Sequence, residues 1–152
     1  MDEDFELDDF LGHKLGVTYL SLVNLFQKKL SESGIGITVE QAKVLNYLHH
    51  KPGCNQNDLC CALRKDKPAI SRTIEGLEKV YLIFRKEDEE DRRNKRLFLT
   101  EDGEVKYNEL APIRAHFFDM IHSSLSEEEL SQTRKTLQIL WDAMQEEHKK
   151  YS

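Results

Sequence analysis

Three groups of residues in this chain carry side chains that could do chemistry. They are the paired arginines Arg92 and Arg93, the polar run Lys67, Ser71 and Arg72, and the cysteines Cys54, Cys60 and Cys61. The arginines fall in a hydrophilic tip, Asp88–Asn94, between two strand-like segments, Leu82–Glu87 and Lys95–Thr100. A two-stranded ribbon with arginines at its end suits a nucleic-acid duplex, because an arginine can reach into a narrow minor groove. The segment before it is helical in pattern. Ile70, Ile74 and Leu77 recur at i, i+4 and i+7 and form an inward stripe, which leaves Lys67, Ser71, Arg72 and Glu75 towards solvent. Such a face suits a major groove, where an arginine bidentate to guanine contributes about 1–3 kcal/mol of discrimination. Lys95, with Arg64, Lys65 and Arg96, reads as a phosphate contact or as surface charge; phosphate contacts position a protein without reading sequence. Glu87, Asp88 and Glu89 read as a solubilising turn.

The remaining reactive residues point to no catalysis. Three cysteines, two of them adjacent, do not make a secreted disulfide framework and fit a reducing compartment. Neighbouring Cys60 and Cys61 diverge on a helix, so all three read as core or near-surface thiols. His116 and His122 lie on different helical faces and His49 and His50 are adjacent, so no metal site is expected. No Gly-rich phosphate loop and no nucleophile–base pair at a recognisable spacing is present, and neither an enzyme nor a cofactor is expected. Net charge is −6, but residues 64–96 hold 11 Lys/Arg against 8 Asp/Glu and are net positive, while the first ten residues carry six acids and no base. Local patches, more than the total, set where a polyanion docks. The acidic start lacks the pattern of a secretory signal and no stretch is apolar enough for a membrane span, so the expectation is a cytoplasmic protein without membrane contact.

These side chains need a scaffold. A first helix is expected from about Asp8 to Glu32, with Leu11, Leu15, Leu22, Leu25, Phe26 and Leu30 near one stripe and a glycine cap at Ser33–Gly36. Thr38-Val39-Glu40-Gln41 is a capping box opening a second helix with Ala42, Leu45 and Leu48 inward, stopped by Lys51-Pro52-Gly53. Asn55 caps a short third helix with Leu59, Ala62 and Leu63 as its buried side, and a fourth starts near Asp66 with Pro68 in its first turn. After the ribbon, Thr100 caps a fifth helix that Pro112 should kink or break, and Ser126–Glu129 opens a last one with Leu130, Leu137, Leu140, Trp141 and Met144 along a seam. The fold class is therefore mainly α: a winged helix-turn-helix with a two-stranded wing at about 37–100, flanked by long helices at about 8–33 and 101–150 in a single domain. The terminal helices carry more apolar stripe than so small a core can cover, so a homodimer is expected.

The run from Thr38 to Gly103 resembles the MarR family of winged-helix transcription regulators. The matching pieces are T-V-E-Q-A-K-V-L-N-Y-L, N-Q-N-D-L, K-P-A-I-S-R-T-I-E-G-L-E-K and D-R-R-N-K-R-L-F-L-T-E-D-G, in order. The resemblance implies a homodimer that binds double-stranded DNA at a pseudopalindromic operator, with the fourth helix in the major groove and the wing tip in the minor groove. Recognition helices would then lie about 34–36 Å apart, one duplex turn. It also implies repression relieved by a small aromatic anionic ligand, for which Tyr19, Phe26, Tyr47 and Phe117 are candidate lining residues. In the family's D-x-R pattern Asp91 orients Arg93, which becomes the groove probe, with Arg92 either a phosphate contact or a spare. Peroxide sensors of the family carry their cysteine near the first helix, where this chain has none. Two departures stand out. Tyr81 replaces the usual glycine after the recognition helix, for which a slightly remodelled turn is expected, and Ala69 replaces a hydroxyl residue, so a helix-start or phosphate contact is missing. A second reading keeps the winged helix but makes it a protein-interaction module without DNA binding, in line with the acidity.

Overall fold

The computed structural model describes Leu7 and residues 10–151. Among these residues seven α-helices and one hairpin follow in order: α1 Leu11–Ser33, α2 Val39–His50, α3 Gln56–Leu63, α4 Lys67–Lys79, β1 Ile83–Glu87, β2 Lys95–Leu99, α5 Glu101–Glu109, α6 Ala111–Ser124 and α7 Glu127–Lys149. The described residues up to Ile113 form one compact unit and those from Arg114 a second. Asp8, the expected first residue of α1, lies outside the described residues. Among those described, no helix is long and apolar enough to cross a membrane.

Local chemistry sets the boundaries of these elements. Thr38 and Gln41 exchange side-chain and backbone hydrogen bonds at the start of α2, as do Asn55 and Asp58 at α3 and Ser126 and Glu129 at α7. Each reciprocal pair satisfies two otherwise orphaned N–H groups. Gly34 ends α1 in the left-handed conformation. Ala69 does not leave the start of α4 bare, because its own amide donates to the Asp66 carboxylate at 2.7 Å. Pro112 divides the fifth helical stretch, and α5 ends before Leu110.

In the first unit the core lies between α2, α4 and the hairpin. Val44, Leu45, Leu48, Leu59, Ile70, Ile74, Leu77 and Leu97 are all essentially inaccessible. The expectation for α3 needs correction: Leu59 is buried, but Ala62 is exposed and Leu63 only half-buried. With eight residues α3 has little more than two turns, and Leu59 alone fills the face towards α2, α4 and β2. The hairpin gains a third partner the sequence did not announce. Gly53 donates to the Leu97 carbonyl and Leu97 to the Cys54 carbonyl, at 2.9 and 2.8 Å, tying the end of α2 to the wing. On α1 Leu30 is buried and Leu25 and Phe26 are half-buried, but Leu11 and Leu22 are exposed. On α7 Leu130 is buried, while Leu137, Ile139 and Met144 are exposed.

Candidate nucleic-acid interface

The recognition element begins where α3 ends. Arg64 closes α3 in the left-handed conformation, the chain turns through Lys65, and the Asp66 side chain starts α4. Ile70, Ile74 and Leu77 anchor α4 in the core. Lys67 and Arg72 point outward, and neither side chain has a hydrogen-bond or ion-pair partner among the described residues. Ser71 is half-buried and its oxygen accepts from Gln56 Nε2 at 2.5 Å. Glu78 pairs with Arg85 on β1 at 2.9 Å, coupling the far end of α4 to the wing.

The wing is antiparallel, with register Ile83↔Leu99 through Glu87↔Lys95. Its tip is built by two aspartates acting on backbone amides. Asp88 accepts from the Glu90 amide at 2.9 Å and Asp91 from the Arg93 amide at 3.0 Å, and the Asn94 amide donates to the Asp91 carbonyl at 2.9 Å. Asp91 therefore acts on the backbone of Arg93. Among the described residues the guanidinium groups of Arg92 and Arg93 have no partner, and both side chains are exposed. These turns are the local side-chain-to-backbone bonds that aspartate favours.

Asp88 is not a solubilising residue as expected. It is buried, and Arg96 Nε donates to its Oδ2 at 2.6 Å while the same guanidinium donates to the Gly53 carbonyl at 3.0 Å. The Glu90 amide first, and Arg96 next, hold the Asp88 carboxyl below the usual carboxylate range. Arg96 is thus a clamp between wing and α2–α3 loop. Lys95 is paired across the strands with Glu87 at 2.7 Å, an exposed pair at the wing tip.

A cleft between the two helix starts and the wing is lined by Asn55, Gln56, Asn57, Lys67, Arg85, Arg93, Asn94 and Lys95. It brings together three of the expected residues, Lys67, Arg93 and Lys95. Ser71, Arg72, Asp91 and Arg92 are not among its lining. The sequence reading missed Asn55, Gln56, Asn57, Arg85 and Asn94 at this surface. The only signal for Arg85 was its place in a strand; Asn55 reads as a helix cap, Asn94 as the end of the hydrophilic tip, and Gln56 and Asn57 only as part of the third helix's motif.

Tyr81 follows α4 with φ +57°, the left-handed region, and it is 77% exposed. The turn is thus not remodelled. Its position is held from both sides, since the Tyr81 amide donates to the Glu78 carbonyl at 3.0 Å and the Thr100 hydroxyl donates to the Tyr81 carbonyl at 2.7 Å.

Of the four aromatic candidates for a ligand site, Tyr19 is exposed, Phe26 and Tyr47 are half-buried and Phe117 is buried in the second unit. Burial is the main cause of a raised Tyr47 hydroxyl pKa, and the other contributions come from Cys54, Asp58 and Cys61. Burial also pushes the Cys54 thiol up to about 11. Cys60 is half-buried and Cys61 exposed, and all three cysteines are free. His49 Nδ1 lies 2.8 Å from Glu104 and its ring stacks on Tyr107 at 3.8 Å. Among the described residues no group of three or more His, Cys, Asp or Glu could hold a metal ion.

Comparison with known proteins gives this geometry a context. A family model described as MarR family matches residues 35–94. The HTH-type transcriptional regulator BilQ of Clostridium symbiosum is 34% identical over 105 residues, 69% of this chain and 73% of BilQ. The transcriptional repressor MprA of Escherichia coli is 31% identical over 150 residues, 95% of this chain and 85% of MprA. Among solved structures, the S. aureus MepR–DNA complex matches with a TM-score of 0.83 at 27% identity, over 91% of this chain and 99% of that one.

Proposed function

This chain belongs to the MarR family of winged-helix transcription regulators, and we propose that it acts as a homodimeric repressor at a pseudopalindromic operator. Each subunit inserts α4 into the major groove and the 88–94 tip into the minor groove. The observation that carries this reading is the set of exposed cations Lys67, Arg72, Arg92 and Arg93 on one helix–wing unit, whose side chains have no partner among the described residues. Lys67 and Arg92 neutralise phosphate, Ser71 and Arg72 meet base edges, and Arg93 probes the minor groove from a turn that Asp91 shapes. Lys95 contributes to phosphate binding in part, since Glu87 already offsets its charge.

Homodimerisation rests on the apolar side chains that α1 and α7 leave exposed in a single chain, such as Leu11, Leu20, Leu137 and Ile139. Release by a small aromatic anion, with Tyr19, Phe26 and Tyr47 of the first unit as candidate contacts, is the family's mode of control and part of this proposal. The protein works by binding, without catalysis, in the cytoplasm. Titration against the intergenic DNA beside its own gene tests the reading. A salt-sensitive, sequence-selective complex is expected, and equal affinity for unrelated duplexes at physiological salt would overturn it.

A further inference from the structure

The contact between Gln56 and Ser71 assigns a direction to a hydrogen bond at the proposed DNA surface. Gln56 is the first residue of α3, inside the turn that the Asn55–Asp58 capping box closes. Its side-chain nitrogen donates to Ser71 Oγ at 2.5 Å. The amide orientation follows from chemistry: the same nitrogen lies 3.4 Å from the Lys67 carbonyl oxygen, which can only accept. A serine hydroxyl has one proton and two lone pairs. Gln56 occupies a lone pair, so the proton must point elsewhere. A helical serine or threonine often gives its proton to the carbonyl four residues back. Thr73 does this, donating to the Ala69 carbonyl at 3.1 Å. Ser71 donates to no described group.

We propose that Gln56 is a specificity-positioning residue: it fills one of the two lone pairs of Ser71 and leaves the hydroxyl proton directed outward, which favours a base edge that presents an acceptor. This rests on the reading that α4 enters the major groove. The acceptors there are N7 and O6 of guanine, N7 of adenine and O4 of thymine, whereas the exposed cytosine group is an amino donor. Cytosine at the contacted base is therefore disfavoured. Without Gln56, Ser71 is free to turn its proton back to the Lys67 carbonyl, and the preference disappears.

Selection from a pool of random duplexes tests this with the full-length parent, Ser71→Ala, Gln56→Ala and the double variant. Gln56→Met, close in length and apolar, serves if the alanine variant does not fold. The same base position in each half-site should lose its discrimination against cytosine in both single variants, by roughly threefold to tenfold for one hydrogen bond. The double variant should be no less selective than Ser71→Ala alone. In the parent, a 7-deazapurine or a thymine analogue lacking O4 at that position, whichever base is selected, should lower affinity by a similar factor, and in the Gln56 variant it should have no effect. A uniform affinity loss in the Gln56 variants with selectivity intact, a change at a different base position, or independent losses in the double variant would overturn the inference while leaving DNA binding in place. A parent that selects no sequence at all would overturn both.

Discussion

Arg93 and Tyr81 show how much a single backbone conformation decides. Arg93 lies in a turn whose amide is held by Asp91, while its guanidinium has no partner among the described residues. Replacing Arg93 with alanine should leave the thermal midpoint unchanged and weaken operator binding by about 1.5–3 kcal/mol, the scale of a hydrogen bond to a charged group; an electrophoretic mobility titration reads this directly. Asp91→Asn keeps the accepting oxygen and should bind nearly as the parent does, whereas Asp91→Ala should lose affinity through a loosened turn. Tyr81 occupies left-handed space that costs an L-residue roughly 1–2 kcal/mol. Glycine relieves that strain but adds about 0.5–1 kcal/mol of chain entropy loss, and the exposed ring has little packing to lose. Tyr81→Gly should therefore raise stability by about 0.5–1 kcal/mol in urea unfolding. Asp88 has a depressed pKa in the folded state, so its contribution is present above the unfolded carboxylate value and is lost as pH falls through the folded one. Protection of the amides across residues 88–96, measured relative to intrinsic exchange, should fall only in acid, below about pH 4, and Asp88→Asn should remove much of that dependence. Protection that does not change in acid in the parent would refute this role.

At the scale of elements, the helices were legible because their ends carry their own chemistry. Thr38–Gln41, Asn55–Asp58, Asp66, Thr100 and Ser126–Glu129 bond within four residues of themselves, so their caps could be read without knowing the fold. The inward stripes of α2 and α4 were legible for the same reason, since periodicity is local. Contacts between elements were not. Asp88 looked like one more acid in an acidic run until the register brought Arg96 beside it and the α2–α3 loop supplied the Gly53 carbonyl. Gly103 is similar: it is the third residue of α5, and a β-carbon there would run into the Leu82 carbonyl oxygen. Gly103→Ala should cost about 1–3 kcal/mol or more, because the obstacle is backbone and cannot step aside. It should reduce the proportion of folded protein by circular dichroism at 37 °C, where Gly16→Ala, with open space around it, should not.

For the whole molecule, the exposed apolar residues of α1 and α7 matter most. Ile139 is 67% exposed in the single chain, so Ile139→Glu should be harmless to the protomer's own packing. In a homodimer built on these helices it should shift sedimentation towards monomer and lower operator affinity by roughly a hundredfold or more, because the second half-site is no longer engaged at high local concentration. An unchanged dimer would place the interface elsewhere. The thiols divide by burial: alkylation at pH 8 should label Cys61 rapidly, and Cys54 only on unfolding, since its pKa near 11 and its burial both protect it. Sequence by itself determined the winged helix-turn-helix, its helix starts and the exposed cations of α4 and the wing tip, because these follow from spacing and from bonds between near neighbours. Tertiary structure alone decided that Asp88 and Arg96 form a clamp, that Tyr81 keeps a glycine's conformation, and that Gln56 reaches Ser71. Each of those depends on groups far apart in sequence or held from both sides by packed elements, and the energy that fixes them exists only once the core has closed.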